Sequence, residues 1–495
     1  MTERETWASR VGFVLAAVGS AVGLGNIWQF PFKTGQFGGA SFLLVYLVAA
    51  VGIGLPALLA EFVVGRRANR NTIDAFGALG GRRWKLVGAL GLAIGFWILS
   101  YYSVVGGWVI RYLLASPTGA YFGDASGFFG AVSAGPGALV THAVFMACVV
   151  SVVALGVENG IERATKVMVP SVLLILAGLA AYAFTLDGAG AGYAYFLSPD
   201  LAALSNNLTD IVPFAVGQAF FSLSLGMGAM VTYASYVDGE DSLVADAGSI
   251  VLLNTLVGVL AGLVVFPLLF AQGIDPNTSG PGAVFVSVAG AFANLPAGRL
   301  LGTAFFAVVL VAALSSAISL LEVVVSYVVD NTRVGRLPAA TGIGGGLFLL
   351  GGALGAVDRV ARLVRHARVQ TAAPDLGALY PAVRRLEAKV RRPSPRCSAG
   401  RDSTVASAAR GSGRSGSSWS SPSSGRSRSA CGRCSSAARS SRRSDQGRDS
   451  RGDPSNGSIA RPDSVLSREG VCSNSHLLRY RLHTYLYLYM NLHSS

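Results

Sequence analysis

The polar residues best suited to bind a ligand in this chain lie where apolar sequence is interrupted. Residues 16–32 read AAVGSAVGLGNIWQFPF, an apolar run broken by glycines and then by Asn26 and Pro31. Glycine weakens a helix because it loses most backbone entropy on ordering, and an amide at membrane depth needs a hydrogen-bonding partner. Backbone that leaves the helical conformation inside a bilayer must line a cavity or bind something. A glycine-rich face for helix–helix packing is the competing interpretation.

A second interruption favours a binding site over a packing face. Residues 217–228 read GQAFFSLSLGMG and place Ser222, Ser224 and two glycines in the middle of another apolar run. Two interrupted spans in corresponding positions of two halves indicate the site of a membrane transporter. Freed carbonyl oxygens and hydroxyls suit a hard cation such as sodium, and the positive N-terminal end of a half-helix suits a carboxylate.

The elements that must position these residues are apolar runs of about 20 residues or more, long enough to cross a membrane. The runs are 11–32, 40–64, 86–115, 137–156, 166–185, 211–237, 247–271 and 300–329, followed by a short, glycine-rich one at 340–357. Basic residues crowd the second, fourth and eighth connections, whereas the third and fifth carry Asp but no Lys or Arg. The positive-inside rule therefore predicts a multi-pass protein of the cell membrane with a cytoplasmic N-terminus.

Four motifs show which family this pattern resembles. They are RETWASR (4–10), GSAVGLGNIWQFP (19–31), GQAFFSLSLG (217–226) and AALSSAIS (312–319), in the order found in the neurotransmitter:sodium symporter family. The resemblance covers roughly residues 3–357. It implies an all-α polytopic membrane protein with broken helices and two inverted five-helix repeats. The second repeat is expected to be incomplete, because no tenth apolar span follows residue 357.

The resemblance implies two sodium sites. The residues expected to hold the first ion are Ala21, Asn26, Ser222 and Asn254, with the substrate carboxylate completing the shell. The residues expected to hold the second are Gly19, Val22, Ala312, Ser315 and Ser316. The family commonly has Thr in place of Ser222 and Ser315, and serine retains the hydroxyl. Gly258 stands where relatives carry the Ser or acid that decides chloride dependence, so the sequence does not predict a chloride requirement.

The same resemblance implies an amino-acid substrate. Family members that carry amines without a carboxylate place Asp at the position of Gly23, so glycine here favours a substrate that brings its own carboxylate. That carboxylate is expected to meet Leu24, Gly25 and the hydroxyl of Tyr102. The amine is expected to meet carbonyl oxygens of Ala21, Phe221 and Ser222, with Ser224 nearby. The wall around the substrate side chain is expected to contain Ile98, Phe221, Met227, Ser316 and Leu320.

The resemblance also implies two gates. On the N-terminal side, Arg4 is expected to pair with Asp330, and Trp7 is expected to act as an apolar latch. On the outer side, Phe221 and Tyr102 would form an aromatic lid. An outer ion pair is not predicted, because Gln29 replaces the usual Arg and its acidic partner would belong to the missing tenth span.

Three further expectations come from the residues themselves. Glu61 lies within an apolar run and is expected to be a buried acid bonded to the first broken helix. Cys148, also inside an apolar run, is expected to be a small core residue. The apolar stretch 282–293, within a long connection, is expected to dip back as an external lid over the site.

The last part of the chain differs sharply from the rest. Residues 1–357 contain 15 Lys/Arg and 17 Asp/Glu, whereas residues 358–495 contain 25 and 9, so the net charge of +14 comes from the tail. Residues 393–468 are a Ser/Arg/Gly low-complexity segment that is too poor in apolar groups to fold. Two interpretations stay open: a disordered basic tail, or a reading frame lost near residue 357.

The sequence therefore predicts a transporter core at 1–357 and a basic tail at 358–495. The predicted function is sodium-coupled amino-acid symport by alternating access, not enzymatic catalysis. The alternatives are a truncated, non-transporting remnant of such a symporter, or a membrane-anchored protein with a basic interaction tail. No nucleic-acid partner is expected, because the tail lacks a folded module and aromatic residues interleaved with its basic ones. The oligomeric state is not predicted.

Overall fold

A computed structural model describes residues 5–237, 242–276 and 282–356. These residues are helical almost throughout, and none of them lies in a strand. The helices in chain order are α1 Arg10–Ala21, α2 Gly25–Gln36, α3 Ala40–Ala68, α4 Thr72–Gly80, α5 Arg82–Ala115, α6 Ala125–Val132, α7 Pro136–Ala154, α8 Val157–Ala183, α9 Ala189–Leu197, α10 Leu201–Asn206, α11 Leu208–Ser222, α12 Ala229–Ala234, α13 Leu243–Ala271, α14 Ala283–Asn294, α15 Gly298–Asn331 and α16 Arg336–Ala356.

Within the described residues, six helices are individually long and apolar enough to cross a membrane. They are α3, α5, α7, α8, α13 and α15. Helices α1 and α2 together make one further span that is bent by 50° at its break. The apolar run 211–237 is also divided, into α11 and α12. The prediction of an all-helical polytopic membrane protein with broken helices is therefore confirmed.

The first break begins where Val22 leaves the helical conformation, with φ −78° and ψ 109°. Helix α1 starts at an N-cap, because the Ser9 side chain accepts a hydrogen bond from the amide of Gly12. The chain becomes helical again at Gly25, and Pro31 lies where the π-helical turn Gly25–Gln29 passes into regular α-helix. Carbonyl groups at the end of α1 and amide groups at the start of α2 are thus released from helical pairing.

The second break requires left-handed backbone. Gly226 and Gly228 have φ values of +80° and +79°, which glycine adopts without steric cost. Ser224, with φ +52°, is one of few non-glycine residues in this region. Its hydroxyl donates a 2.8 Å hydrogen bond to the carbonyl oxygen of Ser20 in α1, which helps to hold this conformation. The serines and glycines of the sequence motif therefore create the break.

Two glycines of α5 allow that helix to approach the second break. A Cβ atom on Gly91 would lie 3.0 Å from the carbonyl oxygen of Gly226, and one on Gly95 would lie 3.3 Å from that of Met227. Larger residues at these positions would push α5 away from the break. The sequence analysis did not single out either glycine, because their role depends on which helix packs beside them.

Cys148 in α7 is exposed, so the prediction that it is a small core residue is wrong. Val144 and Val140, four and eight residues earlier, are 47% and 63% exposed, whereas Phe145 and Val149 are fully buried. Cys148 therefore belongs to the stripe of α7 that faces away from the bundle. An apolar residue on a spanning helix can face either lipid or protein, and hydropathy alone does not distinguish the two.

Helix α14 occupies the segment expected to form an external lid. Phe285, 1% exposed, is surrounded by aromatic rings from several elements. Its ring centroid lies 5.4 Å from that of Phe129, 6.0 Å from that of Trp108 and 6.2 Å from that of Trp28. The hydroxyl of Tyr112 in α5 donates a 2.7 Å hydrogen bond to the Phe285 carbonyl oxygen. This packing fixes α14 against α2 and α5, and its role as a lid stays a prediction.

The predicted boundary between a core and a basic tail is not tested. Helix α16 ends at Ala356, and residues 357–495 lie outside the described part of the chain. Both interpretations of the tail therefore stay predictions.

Candidate ion and substrate site

Hydrogen bonds connect the two breaks directly. Ser224 in the second break bonds to the Ser20 carbonyl oxygen in α1, as described above. The side-chain amide of Gln218 in α11 donates to the carbonyl oxygen of Gly25 at 3.0 Å and to the hydroxyl of Ser222 at 2.8 Å. Gln218 was not among the predicted site residues, although it lies within the predicted motif. The breaks of the two spans thus form one polar centre inside the bundle.

The amide and hydroxyl groups predicted for the first sodium ion lie in this centre. The side-chain nitrogen of Asn26 donates to Asn254 at 2.8 Å (Oδ1) and 3.1 Å (backbone oxygen), and both residues are completely buried. Ser222 is joined through Gln218 to the start of α2. Ala21 is the buried last residue of α1. Each of these residues is therefore at or beside a break, and their role as ion ligands stays a prediction.

The residues predicted for the second ion come together between α1 and α15. The Ser315 hydroxyl donates to the carbonyl oxygens of Val22 at 3.2 Å and Ala312 at 3.0 Å. The Ser316 hydroxyl donates to Val22 at 3.1 Å and to the Ser20 carbonyl oxygen at 3.0 Å. Gly19 packs against the same place, because a Cβ atom there would lie 3.4 Å from that of Ser315.

Both sets consist of neutral oxygen atoms. Among the described residues, no group of three or more His, Cys, Asp or Glu side chains could hold a metal ion. Neutral carbonyl, amide and hydroxyl oxygens suit a hard cation of low charge, and unwound backbone in broken transporter helices coordinates sodium in this way. The chemistry of these donors therefore fits sodium.

The residues predicted to meet a substrate carboxylate are adjacent in space. The amide nitrogen of Leu24 donates to the hydroxyl oxygen of Tyr102 in α5 at 3.2 Å. A Cβ atom on Gly23 would lie 2.9 Å from that hydroxyl oxygen and would collide with the hydroxyl of Ser316. On the other side of the break, a Cβ atom on Gly25 would lie 2.9 Å from the ring of Phe221. Tyr102 and Phe221 therefore flank the start of α2.

The apolar residues predicted to surround a substrate side chain lie next to α5. Leu320 and Met227 are 4% and 7% exposed. They meet at Gly95, where a Cβ atom would lie 3.5 Å from Leu320 and 3.3 Å from the Met227 carbonyl oxygen. Ile98, one turn further along α5, is half-buried. The wall is therefore formed by three elements, α5, α15 and the second break.

The latch predicted on the N-terminal side makes specific contacts. The indole nitrogen of Trp7 donates to the carbonyl oxygen of Tyr233 at 2.9 Å, and its backbone nitrogen donates to that of Tyr236 at 3.2 Å. The rings of Trp7 and Tyr233 meet edge to face at 5.2 Å. Asp330 accepts hydrogen bonds from both nitrogens of Asn71 at 3.1 Å. Arg4 lies outside the described residues, so its pairing with Asp330 stays a prediction.

Two acids within the spans, Glu61 and Glu322, bond to residues of the second broken span. Glu61 accepts a 2.7 Å hydrogen bond from the amide of Gly226, so this bond goes to the second break, whereas the sequence analysis expected the first. Glu322, fully buried in α15, accepts from the hydroxyl of Tyr236 at 2.7 Å and pairs with Arg336. Arg336 also pairs with Glu5 at 3.0 Å. Each of these buried carboxylates thus accepts a hydrogen bond from a residue in or after the second break.

Comparison with known proteins decides the family. The sequence profile described as the "Sodium:neurotransmitter symporter family" matches residues 4–122 and 134–341. This chain belongs to that family. Its relatives include an uncharacterized sodium-dependent transporter, YhdH, from Bacillus subtilis, which is 40% identical over 351 residues that cover 70% of this chain and 77% of the relative. Another relative is an uncharacterized sodium-dependent transporter from Methanocaldococcus jannaschii. It is 36% identical over 360 residues, which cover 68% of this chain and 72% of the relative.

A solved structure also matches this member of the symporter family. The crystal structure of MhsT in complex with L-phenylalanine aligns with a TM-score of 0.66 and 44% sequence identity, covering 72% of this chain and 81% of that one. The family consists of transporters rather than enzymes, and its members here are named as sodium-dependent. The chain is therefore a sodium-dependent transporter of the multi-pass helical type, and the family predicted from its four motifs is confirmed.

Proposed function

We propose that this transporter drives the inward symport of an amino acid with an apolar side chain, coupled to two sodium ions, by alternating access. One observation carries the substrate class: the Leu24 amide and the Tyr102 hydroxyl meet beside Gly23, where no side chain has room. The protein cannot place its own carboxylate there in this conformation. The substrate therefore supplies it.

The carboxylate would bind at the N-terminal end of α2. Amide groups of Leu24 and Gly25 start this half-helix, and its dipole favours a negative charge at that end. The Tyr102 hydroxyl can donate its own proton to a carboxylate oxygen, because the bond from Leu24 uses only its acceptor capacity. The substrate amine would meet the carbonyl oxygens of Ala21, Phe221 and Ser222. Ser224 holds the backbone of the second break.

The apolar wall of Ile98, Met227 and Leu320 favours an aliphatic or aromatic side chain. Met227 adapts readily to different shapes because its side chain is unbranched and flexible. Two relatives support this class of substrate: MhsT was crystallised with L-phenylalanine, and a rat relative, 28% identical over 304 residues, is named a neutral amino-acid transporter.

The two sets of oxygen atoms would bind one sodium ion each. The substrate carboxylate completes the shell of the first ion, beside Asn26 and Asn254, so that ion and substrate bind together. The second ion would lie between the end of α1 and α15, where Val22, Ser315 and Ser316 meet. An ion there fixes α1 against α15.

Alternating access needs a barrier on each side of the site. With the N-terminus in the cytoplasm, the inner barrier would be Trp7 packed on α12, together with Arg4 and Asp330. The outer barrier would be Phe221, Tyr102 and helix α14. Opening the inner side would require Trp7 to lose its hydrogen bonds to Tyr233 and Tyr236.

Sodium titration of purified protein tests the ion sites. Asn26→Ala and Ser316→Ala should each raise the sodium concentration for half-maximal thermal stabilisation by about tenfold or more, because each removes an oxygen that nothing replaces in a dry cavity. Ser151→Ala is the matched control. The Ser151 hydroxyl lies on the exposed face of α7 and donates to the carbonyl oxygen of Ala147 in the same helix. Unchanged sodium responses in both site variants would reject the assignment. The same titration with and without chloride measures any chloride requirement.

Ligand binding tests the substrate class. L-phenylalanine and L-leucine are compared with phenethylamine, which has the aromatic side chain and amine but no carboxylate. The proposal expects sodium-dependent binding of one or both amino acids and none of the amine. Tight binding of phenethylamine without a response to amino acids would overturn it.

A further inference from the structure

Lys33 in α2 is a buried cation with unusual surroundings. Only 9% of the residue is exposed. Its ammonium nitrogen lies 4.6 Å from the ring centroid of Phe214, 5.3 Å from that of Phe32 and 5.5 Å from that of Phe37. It donates one hydrogen bond, of 3.3 Å, to the side-chain oxygen of Gln36. Three aromatic rings and one amide thus enclose the charge.

The ring contacts are the main electrostatic compensation for this charge. In the described part of the chain, no Asp or Glu oxygen lies within ion-pair distance of Lys33. Removing an ammonium group from water is costly unless it is paired, and the face of an aromatic ring attracts a cation. The attraction is strongest where water is excluded. The position of Lys33 is therefore held by the rings around it.

The nearest of these rings belongs to the other broken span. Phe214 lies in α11, whereas Phe32 directly precedes Lys33 in α2 and Phe37 directly follows that helix. Phe37 also stacks on Phe214, with ring centroids 4.5 Å apart and planes 28° apart. Phe214 thus contacts both the ammonium group of Lys33 and the ring of Phe37, which are themselves 5.5 Å apart. This contact joins the two broken spans on the side away from the N-terminus.

The contact is equally far from both breaks. Lys33 lies eight residues after Gly25, where α2 begins, and Phe214 lies eight residues before Ser222, where α11 ends. At 1.5 Å per residue, both positions are about 12 Å from the ends that carry the site. Gln218 joins the same two helices nearer the site, through its 3.0 Å bond to Gly25. Two connections one helical turn apart in α11 resist both separation and relative rotation.

We propose that Lys33 and Phe214 act as a clamp that makes the outer halves of the two broken spans move as one unit. Both are positioning residues, because neither reaches the proposed ion or substrate atoms. The clamp keeps the carbonyl oxygen of Gly25 and the hydroxyl of Ser222 in register while the outer barrier opens and closes. This inference rests on the proposed function only where sodium binding serves as a readout.

A double-mutant cycle on the full chain tests the clamp. The variants are Lys33→Met, which keeps the length of the side chain, Phe214→Leu, and the two combined. Phe32→Leu is the matched control, because it removes a ring near the same ammonium group but within the same half-helix. Lys33→Arg, which restores a cation that can lie on a ring, is the rescue variant. Each variant is measured for thermal unfolding and for sodium-dependent stabilisation.

The clamp predicts coupling between the two positions. Lys33→Met and Phe214→Leu should each raise the half-maximal sodium concentration by about 2- to 30-fold, the range expected from one cation–π contact. The double variant should unfold at no lower temperature than the more affected single variant. It should also need no higher sodium concentration for half-maximal stabilisation. Lys33→Arg should recover most of the sodium response, and Phe32→Leu should stay within twofold of the wild type.

Two results would overturn the clamp. One is additivity of the two substitutions in thermal unfolding, which needs no sodium and therefore tests the contact independently of the proposed function. The other is an equal effect of Phe32→Leu and Phe214→Leu on the sodium response. A wild-type protein that shows no sodium response, but whose unfolding shows coupling between Lys33 and Phe214, would instead contradict the proposed function and retain the clamp.

Discussion

The substitution Gly23→Ala puts the proposed substrate site to its sharpest test. The added methyl group would lie 2.9 Å from the Tyr102 hydroxyl oxygen and would collide with the hydroxyl of Ser316. Ser316 would have to turn away from the carbonyl oxygens of Ser20 and Val22, which it now contacts at 3.0 and 3.1 Å. One small methyl group thus disturbs both the proposed carboxylate site and the proposed second ion site.

The expected loss follows from overpacking. Inserting a methyl group into a well-packed interior typically costs about 1 to 3 kcal/mol, and two neutral hydrogen bonds contribute about 1 kcal/mol each. If the cost of the collision falls on the ligand-bound form, substrate affinity should fall by about 5- to 150-fold, because 1.4 kcal/mol corresponds to a factor of ten. Sodium affinity should fall in the same variant, since Ser316 belongs to the ion site.

Sodium-dependent binding of L-phenylalanine and L-leucine to purified protein is the appropriate assay. Gly217→Ala is the control, because, apart from the backbone of α11 and the chain neighbours of Gly217, no described atom lies within 4 Å of the added methyl group. That variant should bind like the wild type. Wild-type affinity for both amino acids in the Gly23→Ala protein would refute the assignment of the substrate carboxylate to this position.

Further predictions concern the inner barrier, the ion pair of Asp74 with Lys85, and the tail. Trp7→Ala should increase labelling of cysteines introduced on the N-terminal side of the site, because it removes the latch on Tyr233; unchanged labelling counts against the latch. Burial would raise the pKa of Asp74, but hydrogen bonds from Lys85 and two asparagines outweigh it and lower the pKa to about 2. Its stabilising effect is therefore complete above about pH 4 and lost as the pH falls towards 2. Asp74→Asn should melt at a lower temperature than the wild type at pH 7, with the difference shrinking below pH 4; a constant difference contradicts this. A reading frame lost near residue 357 predicts that the 495-residue chain inserts without accumulating substrate in proteoliposomes, and that restoring the frame recovers uptake. Sodium-driven accumulation by the unaltered chain would reject that alternative.

The breaks could be predicted because they are local. Glycines and polar residues inside an apolar run weaken the helix wherever they occur, and the structure has breaks after Ala21 and Ser222 as the motifs indicated. Four motifs in family order then supplied the candidate ligands. The structure brings Val22, Ala312, Ser315 and Ser316 into mutual contact, although they come from both halves of the chain.

Other features could not be predicted, because they depend on which helix packs beside which. Cys148 and its buried neighbour Val149 are equally acceptable in an apolar run, yet only one faces the bundle. Glu61 was correctly identified as a buried acid, but its hydrogen bond from the amide of Gly226 in the second break was not predicted. Lys33 could have been noticed as a cation in apolar sequence, whereas its contact with Phe214 is visible only in the folded chain.

The aromatic packing at the two proposed barriers has a practical consequence for spectroscopy. Trp7 lies against Tyr233 on the N-terminal side, whereas Trp108 lies near the other end, between Phe129 at 5.5 Å and Phe285 at 6.0 Å. Indole emission shifts to longer wavelength when the ring becomes hydrated. A chain that retains only Trp7 or only Trp108 would therefore carry a native fluorophore at one barrier, without an attached dye. Opposite shifts from the two chains on adding sodium would show that sodium hydrates one ring while it shields the other, as alternating access requires.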